Sequence, residues 1–215
     1  EVNVLVDNTA AQGAPVVYES NPSYQNLIGR VDNIAHEGAL STNLTMIRSG
    51  ALHRANGGYL ILDAVRLLTQ PYAWEALKRS LLTHQVRIES LGQMLSLIST
   101  LTLEPDPVPL DVRVCLVGPR LLYYLLSRYD EDFGALFSVV ADFSESIDRT
   151  PETLSLYARL LGSLARDASL KPLDRSAVAF TIEHAARVTG DARRLSVQVA
   201  PITDLLREAD HYAQM

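Results

Sequence analysis

The fold is decided by one stretch, Gly50-Ala51-Leu52-His53-Arg54-Ala55-Asn56-Gly57-Gly58-Tyr59-Leu60-Ile61-Leu62-Asp63-Ala64. It predicts a short helix, a Gly-Gly turn and then a buried strand. Residues 59–62 are a continuous apolar run, which is typical of a parallel-sheet strand covered on both faces. Asp63 follows where open α/β sheets bind their ligands, in the crevice beyond the carboxyl ends of the strands. We therefore expect Asp63 to belong to a binding site.

The composition is typical of a soluble globular protein. The 215 residues are 47% apolar and 20% charged, which allows a sizeable core and argues against disorder. The net charge of -6 argues against a broad surface for nucleic acid. No apolar run approaches the roughly 18 to 20 residues that cross a bilayer, so no membrane partner is expected. No signal peptide is recognised, and we expect a cytoplasmic location.

The single cysteine, Cys115, lies inside an apolar run and is predicted to be an inert core residue. The five histidines and this cysteine show no metal-ligand spacing, so no zinc site is expected. The chain begins at Glu1, without a methionine, directly on a strand-like run. We expect it to be a piece of a longer protein.

Strand and helix patterns alternate through the first two thirds of the chain. Helices are predicted over residues 71–83 and from residue 121, and Glu75, Lys78 and Arg79 are expected on the solvated face of the first helix. An irregular connection is expected over residues 38–50. Strands are predicted over residues 2–6, 14–18, 59–62, 86–89, 97–103, 112–117 and 138–143.

The spacing of the apolar residues changes from a strand-like to a helical period after a polar linker at residues 145–150. Thr150-Pro151-Glu152 predicts a helix start, with Thr as the N-cap and Pro at the first position. A second helix is expected to open near Asp174 and to close at Gly190, and a third to run from about Arg194 to Ala213. The predicted fold class is therefore α/β, with a parallel-sheet core over residues 1–147 and a small all-helical domain over residues 148–215.

The stretch that ends at Asp63 resembles the Walker B region of AAA+ ATPases of the helix-insertion branch. More narrowly, the chain is similar to the bacterial Lon-related, ATP-dependent proteases over nearly its whole length. The segments that carry this resemblance are Val2-Asn3-Val4-Leu5-Val6-Asp7-Asn8, residues 21–30, residues 50–60, Trp74-Glu75-Ala76-Leu77-Lys78-Arg79, Pro109-Leu110-Asp111, residues 148–152 and residues 204–209.

This resemblance implies a partial AAA+ P-loop NTPase core followed by a helical lid. The intact protein would bind ATP and Mg²⁺, form a ring homo-oligomer, expected to be a hexamer, and feed unfolded protein substrates to a Ser-Lys peptidase domain outside this chain. Loops at residues 38–50 or 90–96 are candidates for the pore. Because no Gly-rich loop ending in Gly-Lys-Ser/Thr is present, the Walker A phosphate-binding loop is expected either to lie upstream or to be absent. We expect this piece alone to be inactive.

The resemblance assigns Asp63 the Walker B role, as the catalytic residue that orients the metal. The family usually has a glutamate next, to polarise the attacking water, and here that residue is Ala64. The polar sensor 1 position matches Pro119, which has no side-chain donor. Its neighbour Arg120 is a candidate for nucleotide binding, although it can equally face solvent.

Three further arginines are candidates for nucleotide binding. Arg193, in Gly190-Asp191-Ala192-Arg193-Arg194-Leu195, matches the sensor 2 arginine at the start of the lid's third helix, or it simply begins a solvated helix. The expected position of the arginine finger is apolar, at Leu136-Phe137, and Arg128 is the nearest candidate upstream. Arg54 is a candidate for contact with a neighbouring subunit's nucleotide.

Two other readings stay open. Ala64, Pro119 and Leu136 replace groups that hydrolysis normally needs, so the protein can also be a degenerate, hydrolysis-deficient AAA+ scaffold that forms a ring and gates the peptidase. A relative of the enhancer-binding or chelatase ATPases, which share the Gly-Gly strand, is the third reading.

Overall fold

The structure is a computed structural model that describes residues 3–9, 11–32, 34–36, 39–41, 43–89 and 105–213. The chain divides into two compact units, Glu1–Val140 and Ala141–Met215. The predicted strand at residues 97–103 and the candidate pore loop at residues 90–96 lie outside the described residues.

The first unit contains short strands and helices in alternation. In chain order they are β1 (Val16–Glu19), α1 (Tyr24–Ile28), β2 (Gly29–Val31), β3 (Ile34–His36), β4 (Ala39–Ser41), a 3₁₀ turn (Leu44–Met46), β5 (Ile47–Ser49), α2 (Ala51–Arg54), β6 (Tyr59–Asp63), α3 (Ala64–Thr69), α4 (Ala73–Thr83), β7 (Gln85–Val86), β8 (Val108–Pro109), β9 (Arg113–Val117), α5 (Arg120–Tyr129) and α6 (Phe133–Leu136).

A three-stranded parallel sheet organises this unit. β6 lies between β1 and β9, with Glu19 paired to Leu62 and Asp63 paired to Val117. Parallel neighbours need crossover connections, and the segments between these strands supply helices for them. The α/β core predicted from the sequence is confirmed.

The two faces of the sheet have different surroundings. On one face the side chains of Leu60 and Leu62 are fully buried against the helices, in the main apolar core. The alternate residues point to the opposite face, which stays open to solvent in the described structure. Its exposed side chains are Val16, Tyr18, Tyr59, Cys115 and Val117. Parallel sheets are normally covered on both faces, so this open face is unusual.

A pair of antiparallel strands separates two short helices of the first unit. α1 ends at Ile28 and α2 begins at Ala51, and β2 and β5 pair with each other between them. Gly29 and Gly50 lie back to back at the base of the hairpin. A Cβ on Gly50 would lie 2.2 Å from the carbonyl oxygen of Leu27, so only glycine allows the backbones to approach this closely.

The second unit is built around a separate core. Its elements are β10 (Ser146–Asp148), α7 (Pro151–Asp167), α8 (Arg175–Thr189), β11 (Arg194–Ser196) and α9 (Val199–Tyr212). The predicted caps are present, because Thr150 caps α7 with Pro151 at its first position, while Asp174 and Gly190 cap the two ends of α8. β10 and β11 form an antiparallel pair beside the helices.

Several predicted elements are wrong. Residues 3–6 and 138–143 form no strand, because no described strand pairs with them and strand propensity needs a partner. The predicted linker at 145–150 contains β10, and the predicted irregular loop at 38–50 contains β4 and β5. Cys115 is exposed rather than in the core, since it points to the open face of the sheet.

Candidate functional site

Asp63 is the last residue of β6 and the N-cap of α3. Its Oδ1 accepts a hydrogen bond from the backbone N–H of Arg66 at 2.9 Å, which satisfies one of the free donors of the first turn. Asp63 pairs with Val117 and therefore points to the open face, at the carboxyl end of the central strand. Its second carboxylate oxygen accepts no hydrogen bond from the described residues. That oxygen is available to a ligand.

Ala64 fills the position after Asp63 and is 5% exposed. Gly118, just after β9, packs against it so closely that a Cβ on Gly118 would lie 3.0 Å from the Cβ of Ala64. The position that the resemblance reserves for a water-polarising carboxylate therefore holds a buried methyl group.

A second carboxylate, which the sequence analysis missed, lies at the same end of the sheet. Glu19 ends β1, and its side chain is 14% exposed. Its Oε2 accepts a hydrogen bond from Arg54 Nη2 at 2.8 Å, and its Oε1 accepts one from the backbone N–H of Asn21 at 3.0 Å. The signal was present, because Glu19 ends an apolar strand as Asp63 does.

Arg66 ties the two strand ends together. Its Nη1 donates to the carbonyl oxygen of Ser20 at 2.9 Å, while its backbone N–H bonds to Asp63. Ser20 directly follows Glu19, so the carboxyl ends of β1 and β6 are joined through the first turn of α3.

The predicted arginines occupy different places. Arg54 does not extend freely, because it is paired with Glu19 and its Nη1 also approaches the carbonyl oxygen of Ser49 at 3.4 Å. Arg120 is the first residue of α5, directly after Pro119, and is exposed. Arg128 lies in the last turn of α5 and is also exposed.

A buried ion pair fixes the segment that follows α5. Asp130 Oδ2 accepts hydrogen bonds from Lys78 Nζ at 2.9 Å and from Trp74 Nε1 at 2.8 Å, and Asp130 Oδ1 accepts one from the backbone N–H of Phe133. Trp74 also stacks on Phe137, with ring centroids 5.9 Å apart. The prediction that Lys78 is solvated is wrong. Lys78 is buried, because Asp130 and Asp132 lie against this face of α4.

The charges of this pair support each other. Burial alone would lower the pKa of Lys78, but hydrogen bonds to Asp130 and Glu75 outweigh it and raise this pKa above its ordinary value. Burial likewise opposes ionisation of Asp130, and the hydrogen bonds from Trp74 and Lys78 nevertheless hold its pKa below the usual range. Both groups are charged at neutral pH.

His53 is a buried titratable group on α2. It is 5% exposed, and its Nδ1 accepts a hydrogen bond from the backbone N–H of Gly50 at 3.3 Å. Its Nε2 has no partner among the described residues. Burial, and secondarily the charge of Arg54, lowers the pKa of His53 from 6.5 to about 4. The imidazole is therefore neutral at pH 7.

The second unit places Arg193 before a strand. Arg193 is exposed, its N–H bonds to Asp191 Oδ1 at 2.8 Å, and its carbonyl oxygen accepts from the N–H of Arg149. The expected helix start at this position is wrong, because β11 follows and α9 begins only at Val199. Pairing with β10 draws the chain into a strand here.

Among the two strand-end carboxylates, Asp63 is the one with an oxygen left for Mg²⁺. Among the described residues, no group of three or more His, Cys, Asp or Glu side chains could hold a metal ion. Mg²⁺ is commonly bound through one or two carboxylates, with substrate phosphates and waters completing its shell. The open oxygen of Asp63 suits this kind of site. In the described part of the chain, no helix has the length and apolar character needed to span a membrane.

A crystal structure of NtrX from Brucella abortus has the same fold. It aligns with a TM-score of 0.56 and 19% identity, over 93% of this chain and 41% of the NtrX chain. A protein of Escherichia coli (strain K12) described as a Lon protease homolog is 28% identical over 151 residues. That alignment covers 69% of this chain and 25% of the relative, so the chain spans about a quarter of its relative's length.

Two sequence families match the two parts of the chain. The family described as "LonB-like, AAA domain" matches residues 12–144, and the family described as "Archaeal LonB, AAA+ ATPase LID domain" matches residues 172–215. The first match covers more than half of the chain and includes the sheet, Glu19 and Asp63. The chain therefore belongs to the LonB-like AAA domain family.

Proposed function

We propose that this chain is part of an ATP-driven, Lon-type proteolytic machine. In this proposal the longer protein binds ATP with Mg²⁺, forms a cytoplasmic ring of identical subunits, expected to be a hexamer, and passes unfolded proteins to a Ser-Lys peptidase domain. The observation that carries the proposal is Asp63, which has one free oxygen at the carboxyl end of the central strand. In phosphoryl-transfer enzymes of the P-loop class, a strand-end aspartate holds the metal.

The open face supports the expectation of a separate phosphate-binding segment. Asp63 points to a sheet face whose apolar residues are exposed, and no described strand pairs with the outer edge of β9. A further strand, loop and helix would cover both the edge and the face. It would also place phosphate-binding N–H groups at the end of the sheet where Asp63 lies.

The four arginines have unequal support as nucleotide contacts. Arg120, Arg128 and Arg193 are exposed, and a guanidinium suits phosphate oxygens. Arg54 is engaged by Glu19, so contact with a neighbouring subunit's nucleotide would require this ion pair to open. We propose Arg120, Arg128 and Arg193 as the candidates to substitute first.

Measured ATP turnover by the full-length protein tests the proposal. Asp63→Asn should reduce turnover by at least about 10²-fold, because the neutral amide holds Mg²⁺ poorly. Asp106→Asn, at an exposed aspartate, is the matched control and should leave turnover unchanged. Equal turnover in wild type and Asp63→Asn would contradict the Walker B role.

The second candidate function is a ring scaffold that gates the peptidase without hydrolysing ATP. The buried methyl group at Ala64 and the lack of a side-chain donor at Pro119 favour it. Absence of ATP turnover in the wild-type protein, together with ring assembly seen by analytical ultracentrifugation, would support the scaffold over the motor.

A further inference from the structure

A polar cavity of about 270 Å³ lies in the first unit, between the C-terminal half of α4 and the chain that follows this helix. Its volume is several times the roughly 30 Å³ share of one water molecule, so it has room for a small ion. The residues proposed above as nucleotide or metal ligands do not line it. The lining residues are Arg79, Ser80, Thr83, Gln85, Arg87 and Glu89.

The wall of this cavity carries an excess of positive charge. Arg79 Nη2 lies 3.1 Å from Glu89 Oε2, and Arg87 Nε lies 3.6 Å from Glu89 Oε1. Two guanidiniums therefore share one carboxylate, and one positive charge is left over. Each guanidinium carries five N–H donors, which together exceed what a single carboxylate accepts. The wall therefore suits an anion with several oxygen acceptors.

A buried hydroxyl without a partner lies beside this wall. Tyr24 is 2% exposed, and its O–H has no hydrogen-bond partner among the described residues. Burial raises the pKa of Tyr24 above its ordinary value, while the charge of Arg79 opposes this rise and the charge of Glu89 adds to it. The hydroxyl is therefore close to both side chains. Buried polar groups in native proteins are normally paired, in some cases by a bound ion, so this hydroxyl is a donor in search of an acceptor.

A second group of the same charges lies on the β2–β5 pair. Arg30 Nε and Arg48 Nε bond to the two oxygens of Asp32, at 2.8 and 3.2 Å. These side chains are at the surface, and this group has no counterpart of the unpaired Tyr24 hydroxyl among the described residues. It therefore supplies a matched control, which attracts anions through its charge alone.

We propose that the cavity binds a phosphate group, which Arg79, Arg87 and the Tyr24 hydroxyl hold by hydrogen bonds. Guanidinium forks match the spacing of phosphate oxygens, and a phosphate group has enough lone pairs for all three donors. Glu89 keeps the two guanidiniums in place. Free phosphate and phosphomonoesters both offer this group. The site does not depend on the proposed ATPase function.

Calorimetric titration of the full-length protein at constant ionic strength tests the site, with inorganic phosphate and glycerol 3-phosphate as probes. Wild type should bind at least one probe saturably, and the tighter probe shows whether the group is free or esterified. Arg79→Met and Arg87→Met should each weaken this binding by about tenfold or more, because each removes a charged donor. Arg48→Met is the control and should bind as wild type does.

Tyr24→Phe separates ligand binding from folding. It deletes an unpaired buried hydroxyl, so its thermal midpoint without a probe should equal or exceed that of wild type. Its phosphate affinity should nevertheless fall by about three- to tenfold, and phosphate should raise its midpoint less than that of wild type. Unchanged affinity in Tyr24→Phe or Arg87→Met, an equal loss in Arg48→Met, or no saturable binding by wild type overturns the inference. Each of these results leaves the ATPase proposal standing, because turnover by Asp63→Asn tests it separately.

Discussion

At the scale of single residues, His53 and Gly50 show how tightly the Gly50–Asp63 stretch is constrained. The ring of His53 accepts a hydrogen bond from the N–H of Gly50, so the two residues close the first turn of α2 together. Gly50 in turn lies against the backbone of Leu27. The turn before the central strand therefore depends on a neutral imidazole and on the absence of a side chain.

Stability should fall at acidic pH because of His53. Its pKa is about 4 in the folded chain, below its ordinary 6.5, so the unfolded chain binds the extra proton between these values. The contribution of His53 to the free energy of unfolding is fully present above pH 6.5. It is lost as the pH falls towards 4, by about 3 kcal/mol in total. His53→Asn, which keeps an acceptor near the Nδ1 position, should flatten this part of a denaturant-unfolding profile against pH.

His211→Asn, at an exposed histidine of α9, is the control. An unchanged slope in His53→Asn would show that other groups cause the acid loss.

Gly50→Ala should destabilise the first unit by about 1–3 kcal/mol, because the new Cβ meets backbone atoms that cannot turn aside. Gly134→Ala is the matched control, since a Cβ there meets nothing within 4 Å, and its stability should equal or slightly exceed wild type. Chemical denaturation followed by tryptophan fluorescence measures both, as Trp74 lies in this unit. Equal stability of the two variants would mean that the backbones can separate without cost.

At the scale of elements, the ion pair of Lys78 and Asp130 joins α4 to the segment that carries α6. The pair is supported by the stacked rings of Trp74, Phe133 and Phe137. α5, with its exposed Arg128, ends directly before Asp130. The position of this arginine is therefore set by a buried polar contact as well as by apolar packing.

Lys78→Met should cost about 3–5 kcal/mol, because it leaves the carboxylate of Asp130 buried without its cation. The double variant Lys78→Met/Asp130→Asn should recover part of this loss, which a double-mutant cycle measures as a coupling energy. Arg48→Met, which removes an exposed ion pair with Asp32, should change stability by less than about 1 kcal/mol. A coupling energy near zero would show that the charges of Lys78 and Asp130 do not stabilise each other and that the contact contributes only packing.

At the scale of the whole molecule, two separate apolar cores stabilise the chain. One contains Leu62 of the central strand, and the other contains Leu161 of α7. Both side chains are fully buried. Each core lies within one compact unit.

Substitutions in the two cores should therefore act on different unfolding transitions. Leu161→Ala should lower the stability of the second unit by about 2–5 kcal/mol and leave the fluorescence transition of Trp74 in place. Leu62→Ala should do the reverse, shifting the fluorescence transition while the helical signal of the second unit persists. Circular dichroism and fluorescence recorded on the same samples separate the cases. A common shift in both signals would show one cooperative unit.

The sequence predicts the central strand, its terminal aspartate and the capped helices well, because each depends on local signals. Thr150, Asp174 and Gly190 act within one turn of their helix, and the apolar run of β6 is short and continuous. The predictions that are wrong all depend on contacts with residues distant in sequence. Lys78 is buried by Asp130, and residues 194–196 become a strand through pairing with β10. Glu19 is fixed by its ion pair with Arg54, 35 positions along the chain.

The open face of the sheet, around Tyr18 and Val117, has a practical consequence when this polypeptide is produced alone. A solvent-exposed apolar surface promotes self-association of the protein. Aggregation rather than unfolding will therefore limit the concentration that such a preparation can reach. Light scattering should rise with protein concentration well below the melting temperature. Charged replacements on that surface, such as Tyr18→Lys, should delay the rise.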